Sequence, residues 1–160
     1  MFVQKTMFGS DYVLLCYADP NSKASESHIL FHPSTGYCAH VSDDKEVVMG
    51  DCKSNSLWSF EGDGSPIRLM NSGMCLKADG EGLPPSLSED CLSAQSSWKA
   101  VSMSGLHLAS FGKDGEVLCL EKDSNSTKIV TTKCICIGDD DPSCLDDPLN
   151  QWFRLVPTNV

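Results

Sequence analysis

Nine cysteines, four histidines and the acidic run GDDDPSCLDD are the residues of this chain that could do chemistry. Cysteine can ligate metal, attack a substrate or pair in a disulfide, and spacing helps to separate the three roles. No C-x-x-C pair occurs, and no histidine sits at zinc-ligand spacing from a cysteine pair. The tightest set, Cys134, Cys136 and Cys144, offers three thiols where a structural zinc takes four ligands. His28, His32, His40 and His107 lie near no serine or cysteine in a nucleophile motif. Carboxylate pairs are plentiful in any acidic chain, and a sequence cannot place two of them across a substrate. The acidic run lacks the alternation of a calcium loop and reads as a solvated loop. The expectation is a chain without catalysis, metal or cofactor, whose cysteines are structural.

What must position these residues is a single domain, since 160 residues suit one core and crowd two. The net charge is −10, and the twelve Lys and Arg never bunch into a basic run, which argues against nucleic acid and anionic membranes. No apolar stretch approaches the roughly 20 residues that cross a bilayer. Residues 12–18, YVLLCYA, do not make a signal peptide: Asp11 precedes them, Lys5 is the only earlier cation, and ADP is a poor cleavage site. The chain is then cytosolic, or part of a longer secreted protein.

The chain repeats. Trp58, Trp98 and Trp152 close the phrases NSLWSFE, SSWKAVS and NQWFRLV. Well before each comes a cysteine that begins a strand and runs into turn residues, in GYCAHVSDD, GMCLKADGE and VLCLEKDSN. A further cysteine separates the two phrases, and HILFHPSTG, PIRLMNSG and LHLASFGKDG open the units. Short alternating runs fall at 28–32, 37–41, 46–51, 56–60, 67–71, 74–78, 86–90, 96–101, 106–110, 117–122, 128–133 and 151–156. Turn residues punctuate nearly every gap, and no window carries a helical period.

The chain is therefore all-β. One four-strand unit cannot bury its own apolar face, and an open sheet would leave exposed edges. Three units about a pseudo-threefold axis, with the tryptophans as core anchors, make a β-trefoil. Its repeats cover about 28–65, 66–104 and 105–157 within a domain of 28–160, preceded by an N-terminal extension or a junction or linker remnant at 1–27.

The cysteines test this independently. The second-strand cysteine and the one ending the third strand lie 14 apart in the first unit (38 and 52). They lie 16 apart in the second unit (75 and 91) and 15 in the third (119 and 134). Only one pairing treats the units alike: Cys38–Cys52, Cys75–Cys91 and Cys119–Cys134. Cys136 and Cys144 then pin the acidic loop, and Cys16 is left over.

The Q-x-W-like strand ends and Cys-Leu-x-x-Asp turns resemble ricin B-chain-like β-trefoil domains over about residues 28–156. More narrowly, HPSTGYC, MCLKADGEG, HLASFGKDGEVLCLEKDS, NQWFRLV and the KCICIGDDDPSC loop look like the C-terminal trefoil of plant glycoside hydrolase family five proteins. The resemblance implies an upstream catalytic barrel, and residues 1–27 are too short to supply one. It also implies carbohydrate as partner, a monomer and the secretory pathway. Under it, Asn125 in NST is a glycosylation candidate.

In the ricin-like pattern a carboxylate follows the first cysteine of a unit, an aromatic precedes the second, and an amide precedes the Q-x-W tryptophan. Carried over, the first unit offers His40, Met49-Gly50 and Asn55. The second offers Lys77, Ser88-Glu89 and Gln95. The third offers Glu121 with Asp123, Thr131-Thr132 and Asn150. No unit has the full set or the stacking ring, although Phe111 or His107 could supply a ring from elsewhere. Asp79 and Asp114 precede glycines and read as turn residues. The reading is a carbohydrate-binding module of a glycoside hydrolase, its sites Glu121, Asp123 and Asn150, then Asn55 and Gln95. The alternative is a trefoil without sugar binding that serves as a structural or protein-interaction domain. A protease-inhibitor loop would have to lie at GEGLPPSLSE (80–89), where nothing specific supports it.

Overall fold

The computed structural model describes residues 2–8, 11–17, 26–53, 56–138, 141–145 and 147–158. Twelve strands form the three units, each within a residue or a few of the sequence expectation. The first unit holds β3 (Ser27–His32), β4 (Tyr37–Val41), β5 (Val47–Gly50) and β6 (Trp58–Ser59). The second holds β7 (Arg68–Leu69), β8 (Cys75–Lys77), β9 (Ser86–Ser88) and β10 (Lys99–Val101). The third holds β11 (His107–Phe111), β12 (Val117–Lys122), β13 (Ile129–Lys133) and β14 (Arg154–Pro157). Among the described residues the rest is loops, turns and short 3-10 turns, with no helix long and apolar enough to cross a membrane. Before β3, β1 (Phe2–Phe8) and β2 (Asp11–Tyr17) pair antiparallel as a two-stranded hairpin.

The first and fourth strands close a ring, as a trefoil requires. β3 pairs with β6, β6 with β7, and β10 with β11. Single bridges Ser65↔Trp98 and His107↔Trp152 carry two further seams. β14 then lies along β3, with Leu155 opposite Leu30 and Pro157 opposite His28, so the last strand closes on the first. The second and third strands of each unit form hairpins on this ring: β4–β5, β8–β9 and β12–β13.

The threefold pattern recurs in the core. Leu30 and Leu108 from the first strands with Ile67 just before β7, and Ala39, Leu76 and Leu120 from the second strands, are buried at matching positions. The four expected disulfides are present, with Cα–Cα distances of 4.8, 5.5, 5.0 and 4.4 Å. Each of the three longer loops, once closed, restricts the unfolded chain by about 3 kcal/mol.

The expectation of three tryptophan anchors needs one correction. Trp58 and Trp98 are fully buried, but the third ring in the core is Phe153, and Trp152 is only partly buried. Backbone pairing explains why. Trp58 pairs with His28, and the Trp98 N–H donates to the Ser65 carbonyl at 3.1 Å. His28 and Ser65 each lie two residues before their unit's core residue, Leu30 and Ile67. The matching residue before Leu108 is Leu106, and it is the Phe153 N–H that donates to its carbonyl, at 2.7 Å. The repeat phrase is thus Ser56-x-Trp58, Ser96-x-Trp98 and Gln151-x-Phe153. The two indole N–H groups donate to the Ala39 carbonyl at 3.4 Å and the Leu76 carbonyl at 2.8 Å. Phenylalanine has no donor to place there.

Two buried histidines brace the third seam. The His32 ring packs on Phe153 with centroids 4.7 Å apart. Its Nε2–H donates to the Asn150 carbonyl at 3.2 Å, which leaves Nδ1 to accept from the Thr35 hydroxyl at 2.8 Å. Burial pushes the His32 pKa below its ordinary value, opposed by the Asn150 carbonyl. Burial likewise lowers His107, opposed by the Ile135 carbonyl.

Two expectations follow. Phe153→Ala should lose about 3–5 kcal/mol in urea unfolding, as for a fully buried aromatic, while Trp152→Ala loses a fraction of that. Equal losses, or a larger one for Trp152, would contradict the assigned register. A histidine with a depressed folded pKa takes up protons more readily when unfolded, so its stabilisation is complete above the unfolded pKa of about 6.5. The Tm should therefore fall as pH drops through about 6.5 and level off below the folded values. Substituting His107→Gln should shallow that slope in a thermal series run from neutral to mildly acidic pH.

Candidate functional site

The polar positions that the sequence marked for ligands are mostly consumed by the fold. In the first unit, Cys38 lies opposite Gly50, and the His40 imidazole lies so close over Gly50 that a Cβ there would collide with it. The place expected for a stacking ring beside the second cysteine is thus roofed by the unit's own histidine. Asn55 lies outside the described residues.

In the second unit Lys77 is ion-paired to Asp79 at 3.7 Å. The Gln95 amide N–H donates to the Ala78 carbonyl at 2.7 Å, so this side chain ties the Ala94–Ser96 3-10 turn to the end of β8. That leaves Gln95 as a brace, where the sequence had made it a ligand candidate.

In the third unit the amide that reaches Glu121 is Gln151 and not Asn150. The Gln151 amide nitrogen lies 2.9 Å from the Thr132 hydroxyl, 3.0 Å from the Lys133 carbonyl and 3.5 Å from Glu121 Oε1. Its oxygen accepts the Ile135 N–H at 3.0 Å. Two N–H hydrogens already face three acceptors, so Gln151 is saturated inside the fold, and it is buried. Asn150 contributes its backbone carbonyl to His32. Asp123 accepts the Ser126 hydroxyl at 2.7 Å, and this hydrogen bond holds its carboxyl below the usual carboxylate range. Its work is to fix a turn. Among the described residues no group of three or more His, Cys, Asp or Glu is placed to hold a metal ion.

The register of the third anchor opens a different site. The 3-10 turn Pro148–Gln151, capped by the Asp147 carboxylate accepting the Leu149 N–H at 3.0 Å, delivers Phe153 to the core. Trp152 is thereby turned to the surface, where it lines a cleft of about 260 Å³. Opposite it stand Ser102, Ser104 and His107, with Met103, Ile137 and the Cys136–Cys144 bridge as further walls. The Ser102 hydroxyl is 3.0 Å from His107 Nδ1 and 3.0 Å from the Ser104 hydroxyl. Ser102 and Cys136 hold φ angles of 76° and 53°, a left-handed backbone that non-glycine residues seldom adopt. Two such residues on one cleft are the kind of local cost that accompanies functional surfaces. An indole faced by hydroxyls can stack on the apolar face of a ring whose polar edge meets those hydroxyls, while the buried His107 fixes Ser102. A tryptophan next to an aromatic anchor was visible in NQWFRLV, but which of the two faced outward was not.

No known family profile matches the chain. A glycosyl hydrolase 5 family protein of Chamaecyparis obtusa is 36% identical over 138 residues, covering 82% of this chain and 25% of that protein. The chain thus spans about a quarter of the relative's length. Among solved structures, the designed threefold-symmetric protein ThreeFoil matches 81% of this chain and 97% of its own, at 16% identity and a TM-score of 0.61. The GlcNAcα1-4Gal-releasing endo-β-galactosidase of Clostridium perfringens matches 83% of this chain and 32% of its own, at 11% identity and 0.62. The cytolethal distending toxin of Haemophilus ducreyi matches 96% of this chain and 95% of its own, at 13% and 0.56. At these identities the structural likeness concerns the fold alone. The resemblance to a β-trefoil associated with family five glycoside hydrolase proteins holds in sequence and in fold.

Proposed function

We propose that this chain is a non-catalytic carbohydrate-binding module that holds an associated glycoside hydrolase on a polysaccharide or glycan. The observation that carries the reading is the Trp152 cleft, which joins a partly exposed indole to the Ser102 and Ser104 hydroxyls, with the buried His107 holding Ser102 from behind. The glycosyl hydrolase 5 relative supports it, because this chain accounts for only a quarter of that protein and the remainder has room for a catalytic barrel. Residues 1–27 are then the junction to such a domain, with 28–160 as the binding module. Four disulfides fit an oxidising compartment, so the module works in the secretory pathway or outside the cell, as a monomer.

The binding position differs from the one first read from the repeats. Glu121 stays near the third unit's polar network, but its amide partner is occupied, and Gln95, Asp123 and Asn150 give no assembled ligand set.

A second reading has its own support: Gln95 and Asp123, two of the positions expected to meet a ligand, are engaged in hydrogen bonds within the fold. Leu92, 96% exposed, and Met103, 78% exposed, would suit a protein partner. A glycan array and affinity electrophoresis in plant-wall polysaccharides separate the two. The module should bind at least one glycan class, and Trp152→Ala should weaken that binding by about tenfold or more, equal to about 1.4 kcal/mol. Absence of binding to every glycan at high protein concentration would leave the protein-interaction reading standing.

A further inference from the structure

A surface cleft that the third unit shares with the first has no part in the proposed ligand site. It measures about 390 Å³, within the range of small-ligand pockets, and lies between the β12–β13 turn and the start of β4. Tyr37, Met49 and Gly50 form one wall, and Lys122, Asn125 and Thr127 the other. Tyr37 is 54% exposed. A lone exposed aromatic needs no explanation, but this one faces the chain's single Asn-x-Ser/Thr sequon, Asn125-Ser126-Thr127.

The turn presents that sequon. The Asp123 N–H donates to the Lys128 carbonyl at 2.9 Å and closes the hairpin. The Asp123 carboxylate accepts the Ser126 hydroxyl, and the Ser126 oxygen accepts the Lys128 N–H at 3.1 Å. With Asp123 and Ser126 turned inward to each other, Asn125 and Thr127, the two residues the modifying enzyme must read, are exposed. The whole turn is docked on the first unit, since the Thr127 carbonyl accepts the Met49 N–H at 2.7 Å and Val48 bridges Lys128. Anything attached to Asn125 therefore begins its path over β5 and beside Tyr37.

We infer that Asn125 carries an N-linked glycan whose first N-acetylglucosamine seats in this cleft against the Tyr37 ring. The inference rests on the secretory placement in the proposed function, and on nothing about which glycan the Trp152 cleft binds. In the linkage step the Asn125 side-chain nitrogen attacks C1 of a lipid-diphosphate oligosaccharide. The new C1–N bond replaces the C1–O bond to phosphate, the lipid diphosphate leaves, and the amide gives up one proton. The apolar face of the first sugar then covers an aromatic ring that is otherwise half in water. The glycan so placed ties the third unit's hairpin to the first unit.

The test is secretion of the full chain from a eukaryotic host, followed by intact mass and glycopeptide mapping with and without peptide N-glycosidase. Asn125 should be occupied, and Asn125→Gln and Thr127→Ala should each abolish the mass shift. Asn125→Gln should lower the Tm by about 2–4 °C in the Tyr37 protein, the size of shift that a modest contact makes in a domain of this length. In a Tyr37→Ala background the same substitution should lower it by less than half as much. NMR gives a second readout: the first sugar's acetyl methyl should shift upfield by ring current in the Tyr37 protein and return on Tyr37→Ala. An unoccupied Asn125, or a Tm shift and methyl resonance indifferent to Tyr37, would overturn the inference. Both readouts are independent of exogenous glycan binding, so they can fail while the binding-module reading stands.

Discussion

The ring stays closed because three aromatic side chains, one per unit, fill the space on which its strands converge. β6 and β7 have two residues each, and β8, β9 and β10 have three. Ladders so short hold few backbone hydrogen bonds, and two of the seams are single bridges. Apolar burial has to supply what the ladders cannot. Trp58, Trp98 and Phe153 do so together with the layer of Leu30, Ile67 and Leu108 beneath the same strands. The disulfides reinforce the outer hairpins; the aromatic plug holds the ring.

Much of this architecture was legible in the sequence, for a physical reason. Alternating apolar residues and turn residues report a half-buried strand directly, and three units repeat the report. Cysteine pairing inherits the same symmetry, which reduces many connectivities to one. The third anchor was not legible, because Trp152 and Phe153 are adjacent, and either could face the core while alternation continues. Only the backbone pairing of Phe153 with Leu106 decides between them. The β1–β2 hairpin was missed because its strands fell outside the repeat, although FVQKTMF and DYVLLCY flank a Gly-Ser pair that signals a two-residue hairpin.

The site was less legible than the fold. Ligand positions taken from the repeats assume that side chains at equivalent places point to equivalent surroundings. In this chain a one-residue shift puts Gln151 where the other units have Ser56 and Ser96. Serine at those places makes short local hydrogen bonds, Ser56 accepting from Val41 at 2.9 Å and Ser96 donating to Asp90 at 3.0 Å. Glutamine is longer, reaches Thr132, Lys133 and Ile135, and so gathers the polar groups around Glu121 into the interior. The same shift that fills that pocket turns Trp152 outward, so loss of one polar surface and gain of another have a common cause.

The pairing of β14 with β3 has a consequence for how the domain can be joined to others. The Thr158 N–H donates to the Ser27 carbonyl at 2.9 Å, and the two hydroxyls touch, so the first and last residues of the trefoil are neighbours. A ring closed in this way has no privileged starting strand. Joining its ends and opening a turn between units would give a circular permutant with the same seams and the same plug. Neighbouring domains added before Ser27 or after Thr158 would leave from one spot on the surface. The two ends of the trefoil thus share a single point of attachment.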